Sequence, residues 1–404
     1  MAKELLSVGF LPLVDAALPI LAQELGIAEE HGLDLHFIKD LSWAAVNDRL
    51  LYGQSDVAHM LAPLAIANTL GRGRPAKAMA VPFVLGLNGN AITMSNELAD
   101  KISPDGALAT PAEAGARLVD VIASLEKTGR RLKFGVVHRY SSHNYMLRYW
   151  LAGCGIAPDK DVEILTISPP FAADALESGA IDAICVGEPW NSVAVERGCG
   201  RIVLVTAQIW RRGVEKVLAM LDENLEEKRD VVEKLIRALH ETASRFVDPE
   251  NWDRHSEVLA RPHYLDGSVE LIRRAISDRI LLSKGSSPIH IPDFMFQYRE
   301  AANFPWKSQA SWLYSQMLRW DDMTYSREDQ LRVEAIFRSN VYRSALDGTD
   351  APMPSANSKI EGGIEGPLAV GSTQGRLLMG SDPFFDGCIF DPDKLPEYLE
   401  NWLI

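Results

Sequence analysis

The spacing of apolar and polar positions divides the chain into two unequal parts. Up to about residue 220, short aliphatic and β-branched runs alternate with helical patterns. The runs predict strands at 5–11, 33–38, 56–60, 78–84, 91–95, 133–137, 162–167, 181–186 and 201–205. Between them, three-to-four-residue periodicity predicts helices at 16–25, 43–52, 63–70, 143–152, 171–177 and 189–197. Such alternation argues for α/β architecture with parallel sheets. After residue 216 the pattern turns helical, at 225–247, 256–259, 269–282, 309–318 and 328–338. Residues 348–380 are rich in Gly, Pro and Ser and read as loop or as an ordered tail wrapping the surface. Aromatic residues return at 384–391, so the end of the chain is expected to dock.

A short echo suggests two related lobes. Leu50-Leu-Tyr-Gly-Gln-Ser-Asp-Val-Ala58 resembles Ala175-Leu-Glu-Ser-Gly-Ala-Ile-Asp-Ala183. In each, a helix ends on Gly, and an Asp three residues later, with an Ala close behind it, opens a strand. Leu87-Asn-Gly-Asn-Ala91 carries a turn signal where the chain leaves the first lobe, and a strand around Lys216 brings it back. The expected division is 1–90 for the first part of lobe one and 91–216 for lobe two. Residues 217–404 then complete lobe one with a largely helical C-terminal part and the tail.

At 404 residues with 47% hydrophobic and 24% charged residues, the chain can bury two sizeable cores. A formal charge of −14 argues against direct contact with nucleic acid, which requires a basic face. Apolar runs such as 81–87 are far too short to span a membrane. Cys154, Cys185, Cys199 and Cys388 lack Cys-x-x-Cys spacing and read as buried, reduced thiols. Met1-Ala-Lys-Glu leads directly into the first strand without a charged, apolar and small-residue leader. A cytoplasmic protein is therefore expected, the alternative being a trimmed export signal. No P-loop, Gly-x-Ser-x-Gly elbow, His-Glu-x-x-His or zinc pairing occurs, so neither catalysis nor a cofactor or metal is expected.

What remains is a set of hydrogen-bond donors at helix starts and crossing segments. Ser42 caps a helix and places Trp43 and the amides of Ala44 and Ala45 in its first turn. The Trp43 indole only donates, although it could equally be a core aromatic. Ser141 or Ser142 caps the helix starting near His143, a residue expected neutral there and either structural or a donor. Asn90 or Asn88 can offer an amide, or simply form the turn. Lys216 can supply a positive charge, or be an ordinary exposed lysine. Together these suit a small oxyanion, with acidic side chains kept away.

These residues carry a resemblance. Ser42-Trp43, Asp56-Val-Ala-His-Met-Leu-Ala-Pro63, Asn88-Gly-Asn90, the run from His143 to Ala152, Gly187-Glu-Pro-Trp190 and Glu215-Lys216 resemble the nitrate/bicarbonate-binding proteins of ABC importers. The resemblance spans essentially the whole chain and implies the two-lobed type II periplasmic-binding-protein fold with the ligand between lobes. It implies that Trp43, a backbone amide near Ala45, Asn90, His143 and Lys216 hold the anion. Asn90 stands where nitrate importers place the longer glutamine. Bicarbonate binders place an acidic residue at the lysine position and recruit calcium, so Lys216 favours nitrate or nitrite. His59 and Glu188 also fall in family motifs, His59 either supporting the site from behind or serving a structural role, and Glu188 orienting Lys216 or packing structurally. The absent leader resembles the cytoplasmic NasS-type nitrate sensors. Those hold a two-domain, NasT-type RNA-binding antiterminator inactive until nitrate or nitrite arrives. A nitrate/nitrite sensor is thus the expected function, and the binding component of a nitrate importer the alternative. Asn303-Phe-Pro-Trp-Lys-Ser308 is either a partner-facing patch or a packed aromatic corner.

Overall fold

A computed structural model describes residues 3–320 and 323–401. The first two residues of the N-terminal stretch thus lie outside the described residues. Strands β1 (Glu4–Phe10), β2 (Leu33–Lys39), β3 (Val57–Leu61) and β4 (Met79–Asn88) belong to a first sheet. Strands β5 (Asn90–Ser95), β6 (Leu132–Val136), β7 (Val162–Thr166), β8 (Ala183–Gly187) and β9 (Gly200–Val205) form a second. β10 (Val214–Leu221) returns to the first, so the crossing back is complete just before the expected boundary at 216.

The two sheets repeat one plan. In the first the order runs β2, β1, β3, β10, β4, with the short strand Met295–Phe296 at the edge; in the second it runs β7, β6, β8, β5, β9. β1 is parallel to β2 and β3, as β6 is to β7 and β8. The fourth strand of each, β10 or β5, is antiparallel to both neighbours and arrives directly from a crossing. The sequence echo marks equivalent positions. Gly53 and Gly179 both take left-handed conformations (φ 67° and 70°) as a helix ends. Asp56 then accepts the Ser7 amide at 2.9 Å and Asp182 the Lys133 amide at 2.9 Å, each tying its strand to the central parallel strand.

The C-terminal part joins the lobes. The long amphipathic helix Arg229–Phe246 covers the outer face of lobe one with Leu235, Ile236, Leu239 and Phe246 buried. Helix Lys307–Trp320 packs on Ala62–Thr69 of lobe one and on Ser142–Gly153 of lobe two. The tail docks into the same junction. Phe384 stacks on Trp210 (5.0 Å, 20°) and Trp312 (5.5 Å, 27°), and the Phe385 amide donates to the Ile209 carbonyl at 2.9 Å. Directly between the lobes, the Val14 amide donates to the Glu188 carbonyl at 2.8 Å and the Trp190 indole to the Pro12 carbonyl at 3.1 Å.

Several expectations change in detail. The helix expected at 269–282 stops at Ile276, because Asp278 turns left-handed (φ 55°) and a two-residue strand, Arg279–Ile280, follows. Helix Pro111–Glu126 is additional to those expected, and its Thr110–Glu113 capping box was present in the sequence. The tail region contains short strands at Met353–Pro354, Leu368–Val370, Ser372–Gln374 and Leu377–Met379. Of the four unpaired cysteines only Cys185 is fully buried. Phe304 and Trp306 are buried and meet edge to face at 4.8 Å, which makes the 303–308 segment a packed corner. Among the described residues no helix is long and apolar enough to cross a membrane.

Docking the tail through one ring gives a direct test. Phe384→Ala should cost about 3–5 kcal/mol in denaturant unfolding, whereas Phe384→Leu should cost under about 1.5 kcal/mol. Equal, small losses in both variants would show that the tail is not part of the cooperative core.

Candidate functional site

In open α/β sheets, ligands bind beyond the carboxyl ends of the parallel strands. Here that edge of both sheets brings together groups from distant parts of the chain. β1 runs into the turn that carries Asp15, and β2 into Ser42 and helix Trp43–Leu51. β6 leads to Ser141 and helix Ser142–Gly153, which carries His143. The caps are as the sequence implies: Ser42 Oγ accepts from the Ala45 amide at 3.2 Å, and Ser141 Oγ from the Asn144 amide at 3.1 Å. Asn90, the first residue of β5, pairs in register with Gly187 at the end of β8.

Lys216 lies at the centre and is 0% exposed. The β10 register shifts on both sides of Lys216, between Val214 and Lys216 and again before Val217. A bulge lets two consecutive side chains turn to one side, which strict alternation forbids. Lys216 Nζ consequently lies 2.6 Å from Glu215 Oε1 and 2.9 Å from Asp15 Oδ2, and 5.3 Å from the centroid of the Trp43 ring. Each carboxylate also meets a histidine. His59 Nε2 is 2.8 Å from Asp15 Oδ1, and His143 Nδ1 is 3.3 Å from Glu215 Oε1. The result is a buried row, His59–Asp15–Lys216–Glu215–His143, with a histidine at either end.

Burial opposes charge throughout this row, and the neighbours decide the outcome. Burial would raise Asp15, but Lys216 and His59 hold its carboxyl well below the usual range. Glu215 is likewise lowered against burial, by His143 and Lys216. Burial would lower Lys216, but Asp15 and Glu215 outweigh it and raise its affinity for protons. Burial pushes His143 down to about 4 and also lowers His59, in each case against the facing carboxylate. At neutral pH, two carboxylates therefore face one ammonium and two neutral imidazoles.

The expected residues fare differently. Trp43 lies under the Lys216 ammonium, His143 faces Glu215, and Asn90 stands beside Gly187 where Asp15 also approaches; all are buried. Trp43 Nε1, both amide atoms of Asn90 and both ring nitrogens of His143 have no hydrogen-bond partner, which is costly unless something else supplies partners, acceptors for the N–H groups among them. The Ala45 amide is a correction: its N–H is already engaged by Ser42, and helix geometry leaves the Trp43 and Ala44 amides without an intrahelical acceptor. Asn88 is a turn residue at φ 61°, with Nδ2 donating to the carbonyls of Arg211 at 2.8 Å and Asp293 at 3.1 Å. His59 stands behind the site, bonded to Asp15 with its ring 5.2 Å from that of Trp43. Glu188 does not orient Lys216. Its Oε2 accepts from the Ser192 amide at 3.3 Å, and Glu215 and Asp15 take the role expected of it. The expectation that acidic groups stay away from the site is thus overturned, since a fully buried ammonium needs them. Asp15 was missed because Val14-Asp15-Ala16 offers no spacing signal, although a lone acid among apolar residues is itself a hint.

A two-lobed solute-binding fold, with donors from both lobes meeting at the sheet edges, is the class these features define. The comparisons agree. A model of the NMT1-like family matches residues 2–260, and the chain belongs to that family. It is 29% identical to the nitrate/nitrite binding protein NrtA of Synechococcus elongatus, over 98% of this chain and 85% of that one. It is 32% identical to the nitrate import ATP-binding protein NrtC of Synechocystis, over 84% of this chain, and it spans about half the length of that relative (49%). The crystal structure of the periplasmic nitrate-binding protein NrtA from Synechocystis superposes with a TM-score of 0.85 at 25% identity, covering 100% of this chain and 99% of that one. These relatives are named for binding and import, not for catalysis.

Two stability predictions follow from the charges. Removing Lys216 strands two buried carboxylates, so Lys216→Met should destabilise by about 3–5 kcal/mol. Adding Asp15→Asn should then recover part of that loss, and strictly additive costs in chemical denaturation would contradict the coupling. Glu188 is the opposite case, because burial pushes its carboxyl up to about 7 despite the Ser192 bonds. A raised folded pKa contributes stability below the unfolded value and loses it as pH rises through the folded value. Glu188→Gln should therefore gain on the order of 1–3 kcal/mol above pH ~7 and change little near pH ~5. The same gain at both pH values would contradict this reading.

Proposed function

We propose that the chain is the nitrate- or nitrite-binding component of an uptake system. The observation that carries the proposal is the convergence of unpartnered, buried donors on one ammonium. Trp43 Nε1 and Asn90 Nδ2 can only donate, and His143 can donate through one nitrogen, beside the Lys216 ammonium. A small acceptor-only anion satisfies all of them at once, and enclosure between lobes makes each bond to a charged ligand strong. Lys216 Nζ spends two of its three protons on carboxylates and keeps a third.

Relatives are named for nitrate and nitrite and others for bicarbonate, and several are import proteins, which supports the importer reading over the sensor that the N-terminus suggested. Its partners are then the membrane components of a transporter. The sensor reading instead has the protein in the cytoplasm, bound to a NasT-type antiterminator that it releases on anion binding. Cell fractionation separates the two: recovery with the periplasm or membrane supports import, and recovery with the cytosol, together with an RNA-binding partner displaced by nitrate, supports the sensor.

The ligand is tested by calorimetry on metal-free protein. Nitrate or nitrite should bind while bicarbonate and sulfate do not. Trp43→Phe, which deletes one donor to a charged ligand, should weaken binding by about ten- to hundredfold. Lys216→Glu should nearly abolish it. Binding of bicarbonate alone, or only with calcium, would overturn the assignment.

A further inference from the structure

We infer that the site takes up its anion together with a proton, which settles on His143 between the anion and Glu215. This rests on the anion-binding reading above and deepens it. Asp15 and Glu215 both contact Lys216, at 2.9 and 2.6 Å, so the buried row already carries one negative charge in excess. Adding a monovalent anion would leave two uncompensated negative charges in a closed, desolvated space, which is strongly disfavoured. A proton is the cheapest compensation, and the row has a histidine at each end to receive it.

Geometry chooses between them. His59 Nε2 already has Asp15 Oδ1 at 2.8 Å, so a proton there would add little new bonding on that side. His143 has two ring nitrogens without a hydrogen-bond partner, and Nδ1 lies 3.3 Å from Glu215 Oε1. As an imidazolium it donates from both nitrogens, to Glu215 on one side and to the anion on the other. The other groups around it do not compete. Lys216 is already charged, and burial keeps the Cys185 thiol of β8 protonated. From the neighbouring helices, Arg117 donates to the Ile102 carbonyl, and Arg319 lies over the rings of Tyr149 and Trp320 at the far end of the His143 helix. Asp15 reaches His143 only as a more distant negative charge that reinforces Glu215.

Linkage fixes the sign. Free His143, held down to about 4 by burial against Glu215, is neutral at neutral pH, while the complex holds one more proton. Affinity must then fall as pH rises, until the pH exceeds the histidine's value in the complex. The test is titration calorimetry of the whole chain with sodium nitrate between pH ~6 and ~8, in phosphate and in Tris. Affinity should drop by up to about tenfold per pH unit. The measured heat should differ between buffers by the ionisation heat of up to one proton. His143→Gln should bind more weakly and lose both dependences, whereas Glu188→Gln should keep them. Nitrate binding with flat affinity and buffer-independent heat would overturn the inference and leave the function intact. A His143→Gln variant that retains the linkage would overturn it too. Wild-type protein that binds neither nitrate nor nitrite at any pH would overturn the function itself, and this inference with it.

Discussion

A single constraint shapes the site: the ammonium of Lys216 is entirely out of water. Removing such a group from water costs several kcal/mol even after relaxation, and the cost is recovered only by well-placed opposite charge. Two carboxylates meet that need, and each of them in turn must be bonded or matched elsewhere. Asp15 and Glu215 therefore bring His59 and His143 with them, one from each lobe. The bulge in β10 belongs to the same requirement, since regular alternation would send Glu215 to the opposite face from Lys216. Trp43 closes the remaining side with its ring, a favourable surface for a desolvated cation.

Because the row ends on a histidine of lobe two, its integrity depends on how the lobes meet. The crossing strands set the approach: β5 and β10 each enter the other sheet, and place Asn90 opposite the end of β8 and Lys216 opposite the end of β3. The C-terminal part then holds that approach from behind. Trp312 and Phe384 pack against Tyr149, on the helix whose first turn carries His143. One apolar cluster runs through these residues from Leu61 in lobe one to Trp150 in lobe two. The tail, distant in sequence, thus packs on the helix that carries His143.

Much of this was legible in the sequence, for identifiable reasons. Strand and helix periodicity placed nearly all elements of both sheets, and Ser42 and Ser141 marked the two helix starts that matter. The Gly–Asp echo pointed to the repeat because the carboxylate has the same duty in both lobes, holding a strand amide. Trp43, Asn90, His143 and Lys216 could be singled out as candidate donors from their residue types and positions. The carboxylates could not, since their role depends on burial and on the bulge, and neither leaves a local pattern. Ala45 was overestimated for a related reason: a cap that identifies a helix start also consumes one of its amides. For Glu188 the sequence left orienting Lys216 and packing structurally both open, and its Oε2 turns to the Ser192 amide.

The excess negative charge beside the donors also bears on selectivity. A site that relied on net positive charge would accept any small anion and would weaken steeply with salt. This one offers little net attraction, so affinity must come from hydrogen bonds made in a desolvated space. A ligand that fails to satisfy Trp43, Asn90 and His143 together leaves a buried donor unpaired, and that penalty exceeds the gain from a merely adequate contact. A ligand with a bound proton of its own, such as bicarbonate, would point a donor at donors, or would require an acidic partner for its hydroxyl. Glu215 is the nearest such partner, and it is already engaged by Lys216 at 2.6 Å. Under the proposed function, a ligand that carries its own proton would have to compete with Lys216 and His143 for that carboxylate.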